Sequence, residues 1–254
     1  MSDAALLSRW DALMVSVEEP YAAAIVVEKD RYITQAAETF KTYRRLEDRD
    51  FDYHSASMVA LAQKYQGLAL RLAVAEALAG QKSRIASLQR RDGWDQLFLY
   101  LLSTWMRDFG AARAKQSAVT TRADLQRIVE RAVAPDTEFN PVQVATDLLK
   151  AKFLSPPRAR LSATTEVHNA MMFASQEGAS KVSRDNGVTL KKRWVPVADE
   201  RTRINHAATA GVAPIAIDAD FIVGGERMQR PGDPRASAAN VVRCRCVLAY
   251  ETPE

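Results

Sequence analysis

Apolar residues recur every three or four positions along most of the chain, and that spacing predicts one helix after another. Leu61, Tyr65, Leu68, Leu72, Ala75 and Leu78 form one such stripe, the pattern of an amphipathic helix with one face turned to a core. Ser55 or Ser57 is placed to cap it and Gly80 to end it. A second helix is expected over residues 95–109, where Leu97, Leu101, Trp105 and Phe109 repeat one turn apart between Gly93 and Gly110. Its aromatic face reads as packing against another helix. A third opens at Thr120-Thr121-Arg122-Ala123-Asp124, with Thr121 as N-cap, Asp124 completing a weak capping box, and Leu125, Ile128, Val129 and Ala132 on the apolar side. Pro135 and Pro141 bracket a loop. Asn140-Pro141 then starts a fourth helix, with Asn as cap and Pro at the first position. It runs through Val144, Leu148 and Leu149 to about Lys152, where Ser155-Pro156-Pro157 breaks it. Residues 158–166 lead into a long helix carrying Met171, Phe173 and Ala174, ending near Gly178 or Asp185.

The pattern changes near residue 187. Asn186-Gly187 signals a turn, and residues 188–197, Trp194 among them, alternate as a strand does. Asp199-Glu200-Arg201-Thr202 is suited to cap a short helix carrying Arg203 and His206, which Gly211 would terminate. Gly224-Gly225 predicts a hairpin turn between residues 221–223 and Arg227-Met228. Pro231-Gly232-Asp233-Pro234 is a rigid loop, since proline fixes φ and glycine permits a positive one. Residues 241–248, with Cys244 and Cys246, read as a closing strand. The fold class is therefore α+β: a mainly helical N-terminal body with a small α+β C-terminal module containing short antiparallel strands. Its divisions are a helical region over residues 1–118, a helical part of the module over 119–186, and an α+β tail over 187–254.

Composition adds bounds. The 254 residues carry 47% hydrophobic and 26% charged side chains and a formal net charge of +4, ordinary for a globular chain. No concentrated basic stripe of the kind nucleic-acid binding favours is present. Two cysteines one residue apart are poorly placed to bridge each other, so the chain is not a disulfide scaffold. The N-terminal residues contain acids and no uninterrupted apolar run, and no run is long enough to span a bilayer. Synthesis in a reducing cytoplasm, with no membrane contact, is the expectation. No nucleophile elbow, phosphate-binding loop, HExxH pair or dinucleotide fingerprint appears.

The chemistry-bearing residues crowd into the tail. His206, Cys244 and Cys246 could hold zinc, with Asp233 as a fourth ligand. The residues favour the plainer reading, small buried cysteines on a strand with His206 hydrogen-bonded nearby. Asp199, Arg201, Arg203 and Asp233 could tie the irregular backbone through ion pairs. Arg201, Arg203, Arg243 and Arg245 could instead touch DNA phosphate, although acids lie among them. Glu166, His206 and Asp233 would be the set for hydrolysis. His54 and His168, single histidines in helical surroundings, read as structural or exposed.

In order, Trp194, Asp199-Glu200-Arg201-Thr202-Arg203, His206, Gly211, Phe221, Gly225-Glu226, Pro231-Gly232-Asp233-Pro234 and Cys244-Arg245-Cys246 resemble the pattern of the phage Mu F-like minor head proteins, also called head morphogenesis proteins. Ala163-Thr164-Thr165-Glu166 is similar to that family's A-R-T-E segment, with Thr for Arg. Arg243 stands where the family usually has Asn. The resemblance covers roughly residues 120–250 and is specific from Trp194 onward. It implies a structural virion component rather than an enzyme: a minor head protein at the portal vertex or capsid interior of a tailed phage or prophage, serving head assembly and DNA packaging. The implied partners are the portal protein, with major capsid or scaffold protein and phage DNA as further candidates. The implied location is the virion head, after synthesis in the host cytoplasm. The alternative is a DNA-binding internal head protein acting in packaging or ejection; a metal-dependent enzyme stands third. No cofactor is required, zinc being the one the residues could accept.

Overall fold

The computed structural model describes residues 2–78, 91–134 and 139–252. The helices are α1 (Asp3–Tyr43), α2 (Asp48–Ala77), α3 (Arg91–Trp105), α4 (Ala111–Ala132), α5 (Pro141–Lys150) and α6 (Ser155–Asn186). The small elements follow: β1 (Lys191–Val195), α7 (Ile204–Ala207), β2 (Ile215–Ala216), β3 (Phe221–Val223), β4 (Glu226–Met228), α8 (Ala238–Val241) and β5 (Val247–Glu251). This is the expected class, a mainly helical body with a small α+β module at its C-terminal end.

Several boundaries differ from expectation. Helix α2 begins at Asp48, with Asp48 and Asp50 in its first turn, where acids suit the positive end of the helix dipole. Ser55 and Ser57 are interior, and Gly80 lies outside the described residues, as does Pro135. Gly110 does not stop a helix: a π-helical turn, Met106–Gly110, carries α3 into α4. Thr121 is therefore no cap. The stretch before it, Ala111 to Ala118, is rich in strong helix formers, so the helix starts earlier and the Thr121 hydroxyl donates back to the Ser117 carbonyl at 3.0 Å. Asn140 does cap α5, its Oδ1 accepting from Val142 N at 3.0 Å and Gln143 N at 3.2 Å with Pro141 in the first turn. Ser155-Pro156-Pro157 opens α6 after a 3-10 turn, Ala151–Leu154; prolines fit a first turn because its N–H groups have no intrahelical acceptor. Gly178 lies inside α6, where a Cβ would stand 2.7 Å from Val74 Cγ2. Its absence lets α6 approach α2 closely.

The chain forms two compact units. One comprises residues 18–64 and 109–163. Its core joins Tyr32, Ile33, Ala36, Ala37 and Phe40 of α1 to Leu125 of α4 and to Val144, Ala145 and Leu148 of α5, each at helical spacing on its own element. Inside it His54 is buried, stacked on Tyr32 at 4.4 Å, with Nδ1 2.9 Å from Glu28 Oε1.

The other unit comprises residues 1–17, 65–108 and 164–254. Its centre is the middle of α6, where Val167 to Gln176 are buried on every side, as befits a helix that is covered all round. Strand β1 runs between β2 and β5, antiparallel to both, with Trp194 opposite Leu248 and Lys192 opposite both Tyr250 and Ile215. The β3–β4 hairpin pairs Phe221 with Met228. Gly224 and Gly225, at φ 58° and 81°, give the double left-handed turn that matches hairpin twist. The closing strand is shorter than the sequence suggests. Residues 238–241 turn helical and Arg243 takes φ 56°, which breaks the extended backbone, so Cys244 and Cys246 precede β5 rather than lying on it.

Candidate functional site

Two segments bring the sulfur and imidazole groups together. Helix α7 presents His206, and the turn before β5 presents Cys244 and Cys246. Cys246 Sγ lies 3.5 Å and Cys244 Sγ 3.7 Å from His206 Nδ1. All three residues are buried and the cysteines are free thiols. Trp194 of β1 covers them, its ring edge-on to His206 at 5.5 Å and to Phe221 at 5.4 Å. Phe221, Val223, Met228, Val241 and Leu248 close the surrounding core. The two cysteines titrate as a pair. The Cys244 thiol is pushed well up, with Cys246 the first cause and burial the second. Cys246 is lowered by the Cys244 thiol, and His206 and the Trp194 N–H add to this against burial. The buried indole N–H of Trp194 has no conventional acceptor, and neither has His206 Nε2.

Ion pairs and backbone contacts hold that turn in place. Both terminal nitrogens of Arg245 donate to Asp199, at 2.8 and 2.7 Å, and Asp199 also accepts from Thr202 Oγ1 at 3.0 Å and Arg201 N at 3.1 Å. The Arg245 guanidinium, foremost, holds the Asp199 carboxyl below the usual carboxylate range. Arg203 donates to the Val242 carbonyl. Asp199 is thus not the cap of α7; Arg203 occupies that position without a side-chain hydrogen bond. Asn205 donates to Asn240 at 2.7 Å, and Asn240 donates to Val223 O at 3.3 Å, tying α7 and α8 to the hairpin.

Helix α6 supplies the floor. His168 Nε2 lies 2.9 Å from the Cys246 carbonyl, and burial depresses its pKa, so the ring is neutral and donates its one N–H there. Gly232 sits at φ 68° directly over this helix: a Cβ would come within 2.8 Å of His168 Nδ1 and closer still to Asn169. With its amide turned to donate, Asn169 reaches Gly232 O at 3.1 Å. Beside Gly232, buried Asp233 accepts from Gln229 N at 2.9 Å, Arg235 N at 3.1 Å and the Arg235 guanidinium at 2.6 Å. Burial opposes its ionisation, but Arg235, Arg230 and the backbone amides outweigh that and lower its pKa.

The structure therefore brings together His206, Cys244, Cys246 and Trp194 but not Asp233, whose carboxylate is spent on Arg235 and its own loop. Among the described residues the groups close enough to share a metal ion are His206, Cys244 and Cys246; neither Asp233 nor Glu166 joins them. The expected ion-pair network divides in two, Asp199 with Arg245 and Asp233 with Arg235, while Arg201 stands 3.7 Å from Asp199 and is largely exposed. Arg243 is exposed. Gly211 ends a 3-10 turn with open space around it and no positive φ. Pro231 is buried and Pro234 partly so. His168, read from the sequence as structural or exposed, is buried and structural; Asn169 and Arg235 are the residues that sequence reasoning missed. Their partners lie in another segment or in the bend of a loop, and no periodicity marks them.

Comparison with known proteins gives one relevant likeness. The chain is 34% identical over 110 residues to "Minor head protein GP7" of Bacillus phage SPP1, a stretch that is 42% of this chain and 34% of that protein. The match thus spans about a third of the relative's length. No family model matches the chain, and no solved structure does. The likeness is distant, and it leaves more than half of this chain unmatched. Among the described residues no helix is long and apolar enough to cross a membrane.

Proposed function

We propose that this chain is a minor head protein of a tailed phage or prophage, a non-enzymatic component of the virion seated at the portal vertex or the inner capsid surface and acting in head assembly and DNA packaging. The observation that carries the reading is the similarity to the minor head protein of phage SPP1, joined to the ordered motifs from Trp194 to Cys246. The geometry supports a structural use of those motifs, because most of their charged members brace the module. Arg245 is held by Asp199, Arg203 by the Val242 carbonyl, and Asp233 by Arg235. That leaves Arg201 and Arg243 as the outward-facing arginines of the four considered for DNA, which favours the structural reading over the DNA-binding one.

The partner contact falls to the helices over residues 1–118, where Val27, Tyr53 and Leu99 are large, apolar and more than half exposed. Deleting this region would not test the idea, because residues 1–17 and 65–108 share a compact unit with the module. Surface changes do. Co-expression with portal, scaffold and major capsid proteins, followed by isolation of procapsids, should recover the wild-type chain in the particles. Tyr53→Glu and Leu99→Glu should be depleted from them while folding normally by circular dichroism. A wild-type chain that stays wholly outside purified particles sinks the head-protein reading. Variants incorporated like the wild type sink only the docking assignment.

A further inference from the structure

The three converging donors carry more than a packing role. We propose that His206, Cys244 and Cys246 form a zinc site that staples the module, with His206 Nδ1 and the two thiolates as its protein ligands. This goes beyond the head-protein reading and does not depend on it.

Distance is the first argument. Zinc binds thiolate sulfur at about 2.3 Å and imidazole nitrogen at about 2.0–2.1 Å, usually in a tetrahedron. Those lengths and a tetrahedral angle put sulfur about 3.5–3.6 Å from nitrogen across an edge. The observed edges are 3.5 and 3.7 Å, and all three donor atoms lie within 4.8 Å of one another. A thiol hydrogen bond to imidazole spans a similar distance, but Nδ1 has one lone pair and stands nearly equidistant from both sulfurs. A single bond would draw one sulfur in. A shared ion accounts for both.

Charge is the second. The site lies in an apolar core of Trp194, Phe221, Val241 and Leu248, where uncompensated charge is costly. Two thiolates, a neutral imidazole and a divalent ion sum to zero. A monovalent soft ion such as copper(I) on the same donors would leave a net negative charge. The third argument is the indole N–H of Trp194, buried without an oxygen or nitrogen acceptor. Metal-bound thiolate sulfur accepts such a bond far better than a thiol does, and outer-shell donors of this kind orient metal ligands.

The ion would join α7 to the turn before β5, across 38 and 40 residues of sequence. The module's strands are two to five residues long, and a metal staple serves where ladders are this short.

The test uses the full chain, purified reduced, without chelator and with any affinity tag removed. Elemental analysis should find equimolar zinc, released when both thiols are blocked by a mercurial and detected with a chromogenic chelator. Cobalt(II) exchanged into the protein should give thiolate-to-metal charge-transfer absorption and the intense visible bands of a tetrahedral site. His206→Gln and Cys246→Ser should each lose stoichiometric zinc. Should these variants fail to fold, the wild-type metal content and cobalt spectrum decide alone. Wild-type protein with no zinc, two freely titrating thiols and no cobalt–thiolate absorption overturns the proposal. So does a Cys244–Cys246 disulfide in protein prepared anaerobically.

Discussion

The unit built from residues 18–64 and 109–163 and the module over residues 187–252 are stabilised by different means. In the helical unit most backbone groups find their partner along the same helix, and only the ends need caps such as Asn140, so side chains mainly supply an apolar stripe. Tyr32, Ile33, Phe40, Leu125, Val144 and Leu148 do so. In the module the strands are too short to pair most of the backbone, and buried N–H and C=O groups must find side chains instead. Asp233 serves the amides of Gln229 and Arg235, Arg203 serves the Val242 carbonyl, and His168 serves the Cys246 carbonyl. The helical unit should therefore tolerate changes that preserve volume, and the module only those that preserve hydrogen-bonding identity.

The largest expected effect tests that difference directly. Asp233→Ala leaves the amides of Gln229 and Arg235 without their acceptor and takes one of two carboxylate partners from the half-exposed Arg235, and should destabilise the module by about 3–5 kcal/mol, the cost of two buried donors left unsatisfied. Asp233→Asn, nearly the same size, should still cost about 1–3 kcal/mol because the paired charge is gone. In the helical unit Leu148→Ala should cost about 2–5 kcal/mol, but Leu148→Met under about 1.5 kcal/mol. Urea unfolding of the four variants measures this. If the Leu148→Met loss matches that of Asp233→Asn, the contrast between the regions does not hold.

The same difference sets what the sequence could reveal. The stripes of α3 and α5, the Asn140 cap, the Gly187 turn and the Gly224-Gly225 hairpin are local, and each was legible because its cause lies within a few residues; the stripe expected on α2 was misplaced, since that helix buries Met58, Ala62, Ala69, Leu70, Ala73 and Val74 while Leu68 is exposed. The strand expected through Cys244 and Cys246 failed at Arg243, whose left-handed backbone no residue type announces. Asp233 looked like a fourth zinc ligand beside the two cysteines and the histidine. Its true partner, Arg235, is two residues away, but only the bend of the loop shows that the two meet. His168 read as an ordinary helical histidine because its acceptor lies 78 residues onward. The meeting of His206 with both sulfurs was legible as a possibility of composition, but not as geometry.

Acid and alkali should separate the two kinds of charge burial. The Asp233 carboxyl is held below its ordinary value of 3.8, so its contribution is present above that pH and is lost as pH falls through the lower, folded-state pKa. Asp233→Asn should flatten the acid limb of a stability profile followed by thermal melts. Lys192 and Lys29 behave oppositely. Burial lowers each from 10.5 to about 8. The unfolded chain then binds more protons between those values, and stability should rise as pH goes from about 8 to 10.5. The gain should not exceed about 3 kcal/mol per lysine, since one pKa unit corresponds to about 1.4 kcal/mol. Lys192→Met should remove the module's share and Lys29→Met that of the helical unit. An alkaline gain that survives both changes would assign it to other groups.

The smallest effect sharpens the comparison within the helical unit alone. Thr121 and Asn140 both carry cap signatures in sequence, Asn140 the stronger, and the structure uses only that one. Asn140 receives two amide bonds at the start of α5, so Asn140→Ala should cost about 1 kcal/mol, the typical loss for a removed cap. The Thr121 hydroxyl only returns a bond to the Ser117 carbonyl in mid-helix, a contact that slightly weakens helices. Alanine there gains helix propensity, by up to about 0.7 kcal/mol. The methyl group of this buried threonine is lost in exchange, which returns about as much. Thr121→Ala should therefore change stability by less than about 0.5 kcal/mol in either direction. Chemical denaturation at a fixed pH resolves the two. If Thr121→Ala loses as much as Asn140→Ala, then α4 begins at Thr121 in solution, and the continuous path from α3 through the π-turn at Met106–Gly110 is wrong.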